Sequence, residues 1–216
     1  GTTAINAGDL TVSGSLHDST AVSIASGADY NVNASDTVAS IEGDGNIVLA
    51  SSQTLTAGDG SDKTLGGVMS GAGNYIKVGT GTLTLSGANT YTGTTAINAG
   101  DLTVSGSLHD STAVSIASGA DYNVNASDTV ASIEGAGNIV IASSQTLTAG
   151  DGNNKTLSGV ISGAGNYIKA GSGIQTLSAS NTYTGTTQVS AGTLTVSGSG
   201  RLSDSTAVTV DSGATY

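Results

Sequence analysis

Residues 4–12 read AINAGDLTV, and the pattern of this segment indicates the class of fold. Two short runs, in which apolar and polar residues alternate, flank a turn at Gly8. Alternation with a period of two is typical of a β-strand with one buried side, whereas an amphipathic helix needs a period of 3.6. The stretch therefore predicts a strand, a tight turn and a second strand.

The same pattern recurs along the chain, at 22–32, 47–56 and 76–85 and onward. We take the turn residues as equivalent, which gives ten turns in all: Gly8, Gly27, Ser52, Gly81, Gly100, Gly119, Ser144, Gly173, Gly192 and Gly213. Units of roughly 20–30 residues with this alternation indicate a β-solenoid, because one turn cannot bury its apolar side alone and must stack on its neighbours.

A longer repeat contains these units. Residues 1–92 recur as 93–184 with twelve substitutions, and a partial third copy occupies 185–216. Four turns fall within each 92-residue repeat. We therefore predict a single β-helix fragment over 1–216, with one polar face presented repeatedly along a rod.

The predicted fold is all-β, a right-handed parallel β-helix of about ten rungs, four per 92-residue repeat. The hand follows from strand twist, and additional alternating runs at 37–41 and 65–69 favour a triangular cross-section. The inward positions are predicted to be Ile5, Leu10, Val12, Val22, Ile24, Tyr30, Val32, Leu55, Leu83 and Leu85. The outward positions are predicted to be Asp9, Thr11, Asp29, Asn31, Thr54, Thr56, Thr82 and Thr84.

Composition limits the partners and the chemistry. Five Lys plus Arg against sixteen Asp plus Glu give a net charge of -11, so nucleic acid and anionic membranes are not expected as partners. The chain has no Cys for disulfides or thiolate metal sites, and no apolar stretch of membrane-spanning length. Its first residues lack a signal peptide pattern, and any targeting segment is expected outside this sequence.

Residues 81–102, GTLTLSGANTYTGTTAINAGDL, resemble the passenger-associated transport repeat, also called the autotransporter-associated β-strand repeat. The matching positions are Leu85, Gly87, Asn89 to Gly93, Thr95, Ile97, Gly100 and Leu102. A second copy matches at Leu177, Asn181 to Gly185, Thr187, Val189, Gly192 and Leu194. There Ala179 replaces the family Gly and Gln175 stands where Leu83 did, so we expect a shifted register or looser packing.

The resemblance implies export and display at the outer membrane of a bacterium, with a signal peptide and a C-terminal translocator elsewhere in the full protein. Attachment of this fragment to the outer membrane would run through that translocator.

Two short segments contain residue types used in catalysis or metal binding. His17-Asp18-Ser19 and His109-Asp110-Ser111 have the composition of a nucleophilic triad, but neighbouring residues are not expected to converge as a triad, and the third copy reads Ser203-Asp204-Ser205. Asp59 and Asp62 suggest a calcium loop, although the second copy keeps only Asp151. Solvated turns explain both segments better, so we predict no catalytic, cofactor-binding or metal-binding residues and no cofactor.

Three functions remain open. The leading hypothesis is a non-catalytic adhesin or self-association rod at the cell surface, of the kind used in cell adhesion, biofilm formation and virulence, with itself or host and matrix molecules as partners. The second is a passive stalk or secretion-assisting segment. The third is a polysaccharide-active enzyme, for which Asp9 and Asp29 are the nearest carboxylate pair; Thr193 replaces Asp9 in the third copy, which disfavours it.

Overall fold

The computed structural model describes residues 1–216 and consists of strands and turns, with no helix. The strands, in chain order, are β1 (Thr2–Ile5), β2 (Gly8–Val12), β3 (Ala21–Ile24), β4 (Ala28–Val32), β5 (Asp36–Val38), β6 (Ser40–Gly43), β7 (Asn46–Leu49), β8 (Thr54–Ala57), β9 (Lys63–Leu65), β10 (Met69–Gly71), β11 (Asn74–Lys77), β12 (Thr82–Leu85), β13 (Thr95–Ile97), β14 (Gly100–Val104), β15 (Ala113–Ile116), β16 (Ala120–Val124), β17 (Asp128–Val130), β18 (Ser132–Gly135), β19 (Asn138–Ile141), β20 (Thr146–Ala149), β21 (Lys155–Leu157), β22 (Ile161–Gly163), β23 (Asn166–Lys169), β24 (Ile174–Leu177), β25 (Thr187–Val189), β26 (Thr193–Val196) and β27 (Val208–Val210).

These strands form three faces of a parallel solenoid. Face one is the nine-stranded sheet β1-β3-β6-β9-β12-β14-β16-β19-β22, and face three is the nine-stranded sheet that runs from β5 to β26. Face two consists of the four-stranded sheet β2-β4-β7-β10 and the five-stranded sheet β17-β20-β23-β25-β27. Every strand pair is parallel, which confirms the predicted β-helix of about ten coils. Its right hand stays a prediction from strand twist.

Two irregular segments, 89–92 and 108–112, join the two halves of face two. The amides of Thr90 and Tyr91 donate to the carbonyl of Met69 on the coil below, at 2.8 and 3.2 Å. The Thr112 hydroxyl donates to the Tyr91 carbonyl at 3.1 Å, and the Ala131 amide donates to the Thr112 carbonyl at 2.9 Å. Hydrogen bonding between coils therefore continues through this face even where strand geometry is lost.

The core is a single column of apolar side chains that runs the length of the solenoid. Nine of the ten predicted inward residues are buried; Leu10 is only partly buried, since no coil lies beneath its strand, and its equivalents Leu102 and Leu194 are buried. The eight predicted outward residues are all at least partly exposed. The inside and outside positions were thus correctly predicted from the alternation.

The number of coils per repeat was wrong. Along face one, eight register steps connect Ile5 with Gly163, so a coil averages about 20 residues. Single coils range from 17 residues, between Val124 and Ile141, to 22 residues, between Ile141 and Gly163. A repeat of 92 residues therefore forms four complete coils and two of the three faces of a fifth, instead of the four coils predicted.

The register shows where the sequence alignment failed. The unit at 47–56 was aligned with its first strand on Val22–Ile24, but β7 stacks on β4, with Ile47 opposite Tyr30. A corner with its two flanking strands has the same sequence pattern wherever it lies, because the strands of all three faces alternate inward and outward residues in the same way. Only the hydrogen-bond register distinguishes one face from the next.

As a consequence, equivalent strands of the three copies lie on different faces. Strand β1 is on face one, its copy β13 is on face three, and the third copy β25 is on face two. The expectation of one polar face repeated along the rod is therefore wrong.

Two turns that the sequence singled out adopt the same left-handed backbone with different residues. Gly27 has φ 81° and Ser52 has φ 63°, a region that glycine enters without steric cost and serine enters less readily. Ser144 repeats this conformation with φ 64°. Ser52 therefore has the same backbone conformation as the turn glycine Gly27. Its corner joins faces two and three, whereas that of Gly27 joins faces one and two.

A glycine pair tests the stacking directly. A Cβ on Gly106 would lie 2.1 Å from the Gly87 carbonyl oxygen on the coil below, whereas a Cβ on the equivalent Gly14 would meet nothing within 4 Å. We expect Gly106→Ala to lower the free energy of unfolding by about 1–3 kcal/mol through overpacking. Gly14→Ala should change it by less than about 0.5 kcal/mol. Urea unfolding of both variants measures this, and equal effects would contradict the stacking.

Candidate functional site

The segment 86–97 forms the most elaborate corner of the solenoid, and Asn89 holds it together. The Asn89 side chain is 2% exposed. Its Oδ1 accepts from the Met69 amide at 2.9 Å, and its Nδ2 donates to the carbonyls of Gly87 at 2.9 Å and Ser107 at 3.0 Å. One side chain thus bonds to the coil below, to its own coil and to the coil above.

Tyr91 and Thr95 close the same corner from the inside. Both side chains are buried, and the Tyr91 hydroxyl lies 2.5 Å from Thr95 Oγ1. Burial raises the pKa of Tyr91 well above its usual range, and the hydrogen bond with Thr95 offsets part of that rise. The phenol is therefore a neutral, hydrogen-bonded core group, which lets an irregular segment be buried without an unpaired polar atom.

Gly93 is required by close approach of two coils. A Cβ at this position would lie 2.1 Å from the Gly73 carbonyl oxygen. Beside it, Asn74 Oδ1 accepts from the Thr94 amide at 2.9 Å and from the Thr94 hydroxyl at 3.0 Å. The Asn-Thr-Tyr-Thr-Gly sequence is thus a set of contacts that fastens one coil to its neighbours.

The second corner repeats these contacts. Asn181 bonds to the Ile161 amide at 2.8 Å, the Ala179 carbonyl at 2.9 Å and the Arg201 carbonyl at 3.1 Å. The Tyr183 hydroxyl bonds to Thr187, and burial raises the pKa of Tyr183 to about 12. The same network therefore forms on another face of the solenoid.

The two substitutions in this second corner do not shift the register. Gln175 pairs with Leu194 just as Leu83 pairs with Leu102, so the expected slip is wrong. Gln175 is 1% exposed, and its amide makes one long hydrogen bond of 3.4 Å to the Thr176 carbonyl. An amide replaces an apolar side chain with few partners, so this coil is packed less favourably than its equivalent.

Sequence reasoning missed a buried lysine. Lys77 is 1% exposed, and its Nζ donates to the carbonyls of Val78 at 2.7 Å, Gly79 at 2.9 Å and Ala99 at 3.2 Å. Burial lowers the pKa of Lys77. The negative charges of nearby carboxylates oppose that change, and Asp101 has the largest opposing effect. The ammonium group connects two successive coils, and Lys169 repeats the arrangement. The burial of Lys77 could have been predicted from the alternation, because Lys77 lies two residues after the inward Tyr75 on the same strand.

A buried acid beside a tyrosine was also missed. The Tyr30 hydroxyl donates to Asp36 Oδ2 at 2.5 Å, and Asp36 Oδ1 accepts from the Leu16 amide at 3.0 Å. In the second copy, burial raises the pKa of Asp128, and hydrogen bonds from Tyr122 and two amides offset part of the rise. These acids fix the irregular loops 13–20 and 105–112 to the coil above, and their position after a polar run gave no sign of burial.

The His-Asp-Ser segments form solvent-exposed turns. His17 Nδ1 accepts from the Ser19 amide at 3.2 Å and lies 3.0 Å from Ser19 Oγ, a contact of two residues within one turn. The Thr20 amide closes the turn on the His17 carbonyl at 2.7 Å. Ser203 takes the place of the histidine in the third copy, where its hydroxyl bonds to Ser205. Turn capping accounts for the contact, because a residue without an imidazole preserves it.

Asp59 and Asp62, the aspartates considered for calcium binding, accept hydrogen bonds from backbone amides. Asp59 Oδ1 accepts from the Ser61 amide at 2.7 Å, and Asp62 Oδ1 accepts from the Thr82 amide of the next coil at 2.8 Å. In the second copy Asn154 Oδ1 accepts from the Ile174 amide at 3.0 Å, so the neutral amide keeps the same bond. No group of three or more His, Cys, Asp or Glu side chains is placed to share a metal ion.

Asp9 and Asp29 are neighbours on face two, in register on consecutive strands. Asn46, on the next strand, donates to Asp29 Oδ1 at 3.0 Å. On face three, the outward residues Thr54 and Thr56 stack on Asn74 and Ile76 of the next coil, so the threonines do not continue there. The outer surface is therefore a mixed polar sheet of carboxylates, amides and hydroxyls.

The fold and these corners define a parallel β-solenoid whose coils are fastened by repeated Asn-Thr-Tyr-Thr-Gly contacts. The model of the passenger-associated-transport-repeat family matches residues 76–104 and 168–196, which contain both corners and both buried lysines. The chain therefore contains two passenger-associated transport repeats, and together with the parallel β-solenoid they support an autotransporter passenger.

A curated relative is the adhesin BmaC autotransporter of Brucella suis biovar 1 (strain 1330), which is 34% identical over 165 residues. The aligned part covers 71% of this chain and 5% of that protein, so the chain spans a small part of the relative's length. No solved structure matches significantly. The structure, which consists of strands and turns, contains no membrane-spanning helix.

We expect Asn89→Ala to lower the free energy of unfolding by about 2–4 kcal/mol, because each buried group left unpaired costs roughly 1–3 kcal/mol. Asn31→Ala is the matched control, since Asn31 makes one surface hydrogen bond of 3.5 Å, and it should cost less than about 0.5 kcal/mol. Denaturant unfolding followed by circular dichroism compares them. Similar losses in the two variants would show that the corner network does not fasten the coils.

Proposed function

We propose that this chain is a non-catalytic adhesive rod, part of an exported protein displayed at the bacterial cell surface and attached to the outer membrane through another part of the full protein. The observation that carries the proposal is an uninterrupted stack of coils whose outside is a polar sheet, with the outward residues of one repeat found again on another face in the next. A stack of this kind gives reach, and repeated weak contacts on one scaffold add up to strong attachment. The similarity to an adhesin supports this reading.

The distribution of charge limits the classes of molecule that can be partners of the rod. Lys77 and Lys169 are buried, and Lys63 and Lys155 are paired with Glu42 and Glu134 at 2.9 and 2.7 Å. Arg201 is then the one exposed Lys or Arg side chain without an ion pair, on a chain with a net charge of -11. Polyanions and anionic lipids would be repelled, so the partner is a hydrogen-bonding surface: another copy of the rod, or a neutral or cationic host or matrix molecule.

Salt dependence separates these partners. Two acidic rods repel each other, so clustering of beads coated with the chain should accelerate as salt rises from about 0.01 to 0.15 M and the screening length falls from about 30 to 8 Å. Attachment to a cationic partner should weaken over the same range. Beads coated with an unrelated acidic protein are the control. Clustering that slows with salt would exclude contact between copies, and the absence of both clustering and attachment to matrix-coated surfaces would contradict an adhesive role.

One observation favours a second role in secretion. Each coil hydrogen-bonds mainly to the coil before and after it, so a coil that has just emerged can pair at once with one already folded. This supports a stalk or secretion-assisting segment. If that is the only role, deleting one 92-residue unit from the full protein would reduce surface display and leave attachment per displayed molecule unchanged.

A further inference from the structure

The same surface recurs on different sides of the rod. On face two, the side-chain Nδ2 of Asn31 donates to the Thr11 hydroxyl at 3.5 Å. On face one, the side-chain Nδ2 of Asn123 donates to the Thr103 hydroxyl at 3.3 Å. We call this surface the polar panel. In copy one it consists of Asp9, Thr11, Asp29, Asn31 and Asn46, and in copy two of Asp101, Thr103, Asp121, Asn123 and Asn138, among which Thr103 is buried.

The panel is conserved in contacts as well as in sequence. Asn46 donates to Asp29 at 3.0 Å, and Asn138 donates to Asp121 at 3.0 Å. The third copy begins the panel again on face three, with Thr193 and Thr195 on β26. The three panels of this chain therefore point away from the axis in three directions.

The cause is the length of the repeat. Because 92 residues wind four coils plus two of three faces, each repeat begins one third of a turn away from the last. At about 4.8 Å per coil, one repeat rises about 22 Å, and a panel returns to the same face only after three repeats, or about 67 Å. The array is a three-fold screw of surfaces, although it is a simple repeat in sequence.

We propose that this screw makes the chain a three-sided contact rod, which binds neighbouring copies of itself on three sides. A flat partner would meet a given panel once in three repeats, whereas neighbours that surround the rod meet every panel. This inference rests on the proposed adhesive function and specifies its partner and geometry. It predicts bundles or networks of rods in which each rod contacts up to three others.

The chemistry of the panels suits contact between copies. The first two panels have carboxylate acceptors at Asp9, Asp29 and their equivalents, whereas the third has hydroxyl donors at Thr193 and Thr215. A hydroxyl panel of one rod can therefore donate to a carboxylate panel of another without placing like charges opposite each other. Two carboxylate panels would repel unless screened.

The geometry is tested on the whole chain, which has no native cysteine to interfere with labelling. Spin labels are attached to the pair Asn31→Cys and Asn123→Cys, which are repeat-equivalent on different faces, and to the control pair Asn31→Cys and Thr129→Cys, both on face two. The axial offsets are about 22 and 24 Å. We expect the repeat-equivalent pair to be farther apart, despite its smaller axial offset. A shorter or equal distance would overturn the screw.

The contact geometry is tested with the same cysteines. A polyethylene glycol chain on Asn31→Cys, on Asn123→Cys or on Thr195→Cys blocks one panel at a time. We expect each block to slow bead clustering partially, roughly two-fold or less, and two blocks together to slow it further. If one block abolishes clustering and the others have no effect, a single face makes the contact and the proposal is wrong. If unblocked beads never cluster, the adhesion between copies fails, while the spin-label distances still decide the screw.

Discussion

Hydrogen bonding between one coil and the next is the interaction on which this structure depends. Each strand is short, and an isolated coil of about 20 residues has too little apolar surface to remain folded by itself. Stacking satisfies the backbone groups of successive coils and aligns Leu, Val, Ile and Tyr side chains into one column. Where a coil departs from strand geometry, as at 89–92, buried Asn and Tyr side chains supply the missing bonds. The passenger-associated repeat is, in physical terms, a device that keeps the stack continuous through such a corner.

The equivalence of the three faces explains why a repeat of 92 residues is tolerated. If one face had required a different interior, copies that start on different faces could not fold alike. Instead, Tyr30 with Asp36 and Tyr122 with Asp128 form the same buried pair on different faces, at 2.5 and 2.6 Å. Duplication of the repeat therefore extended the rod and at the same time rotated its surface. The adhesive surface proposed for this chain is distributed around the rod as a result.

Much of this fold follows from local pattern. Alternation placed Val22, Ile24 and Leu55 inside and Thr54 and Thr82 outside, because a strand exposes alternate residues to opposite sides. Register did not follow, since the sequence does not say on which strand Ile47 stacks, and the three corners look alike. The buried polar groups were hidden for a related reason: Lys77 and Asp36 read as surface residues until the carbonyls and amides that surround them are placed by the neighbouring coils.

X-ray diffraction from aligned rods measures the stacking most directly. Parallel strands that run across the axis and stack along it predict a strong reflection at about 4.8 Å parallel to the rod axis. The rise of each 92-residue repeat adds a weaker axial reflection at about 22 Å, and the rotation between repeats lengthens the full axial period to about 67 Å. A reflection at about 4.8 Å perpendicular to the axis would mean that the strands run along the rod, and it would contradict the stacked coils from which every other conclusion is drawn.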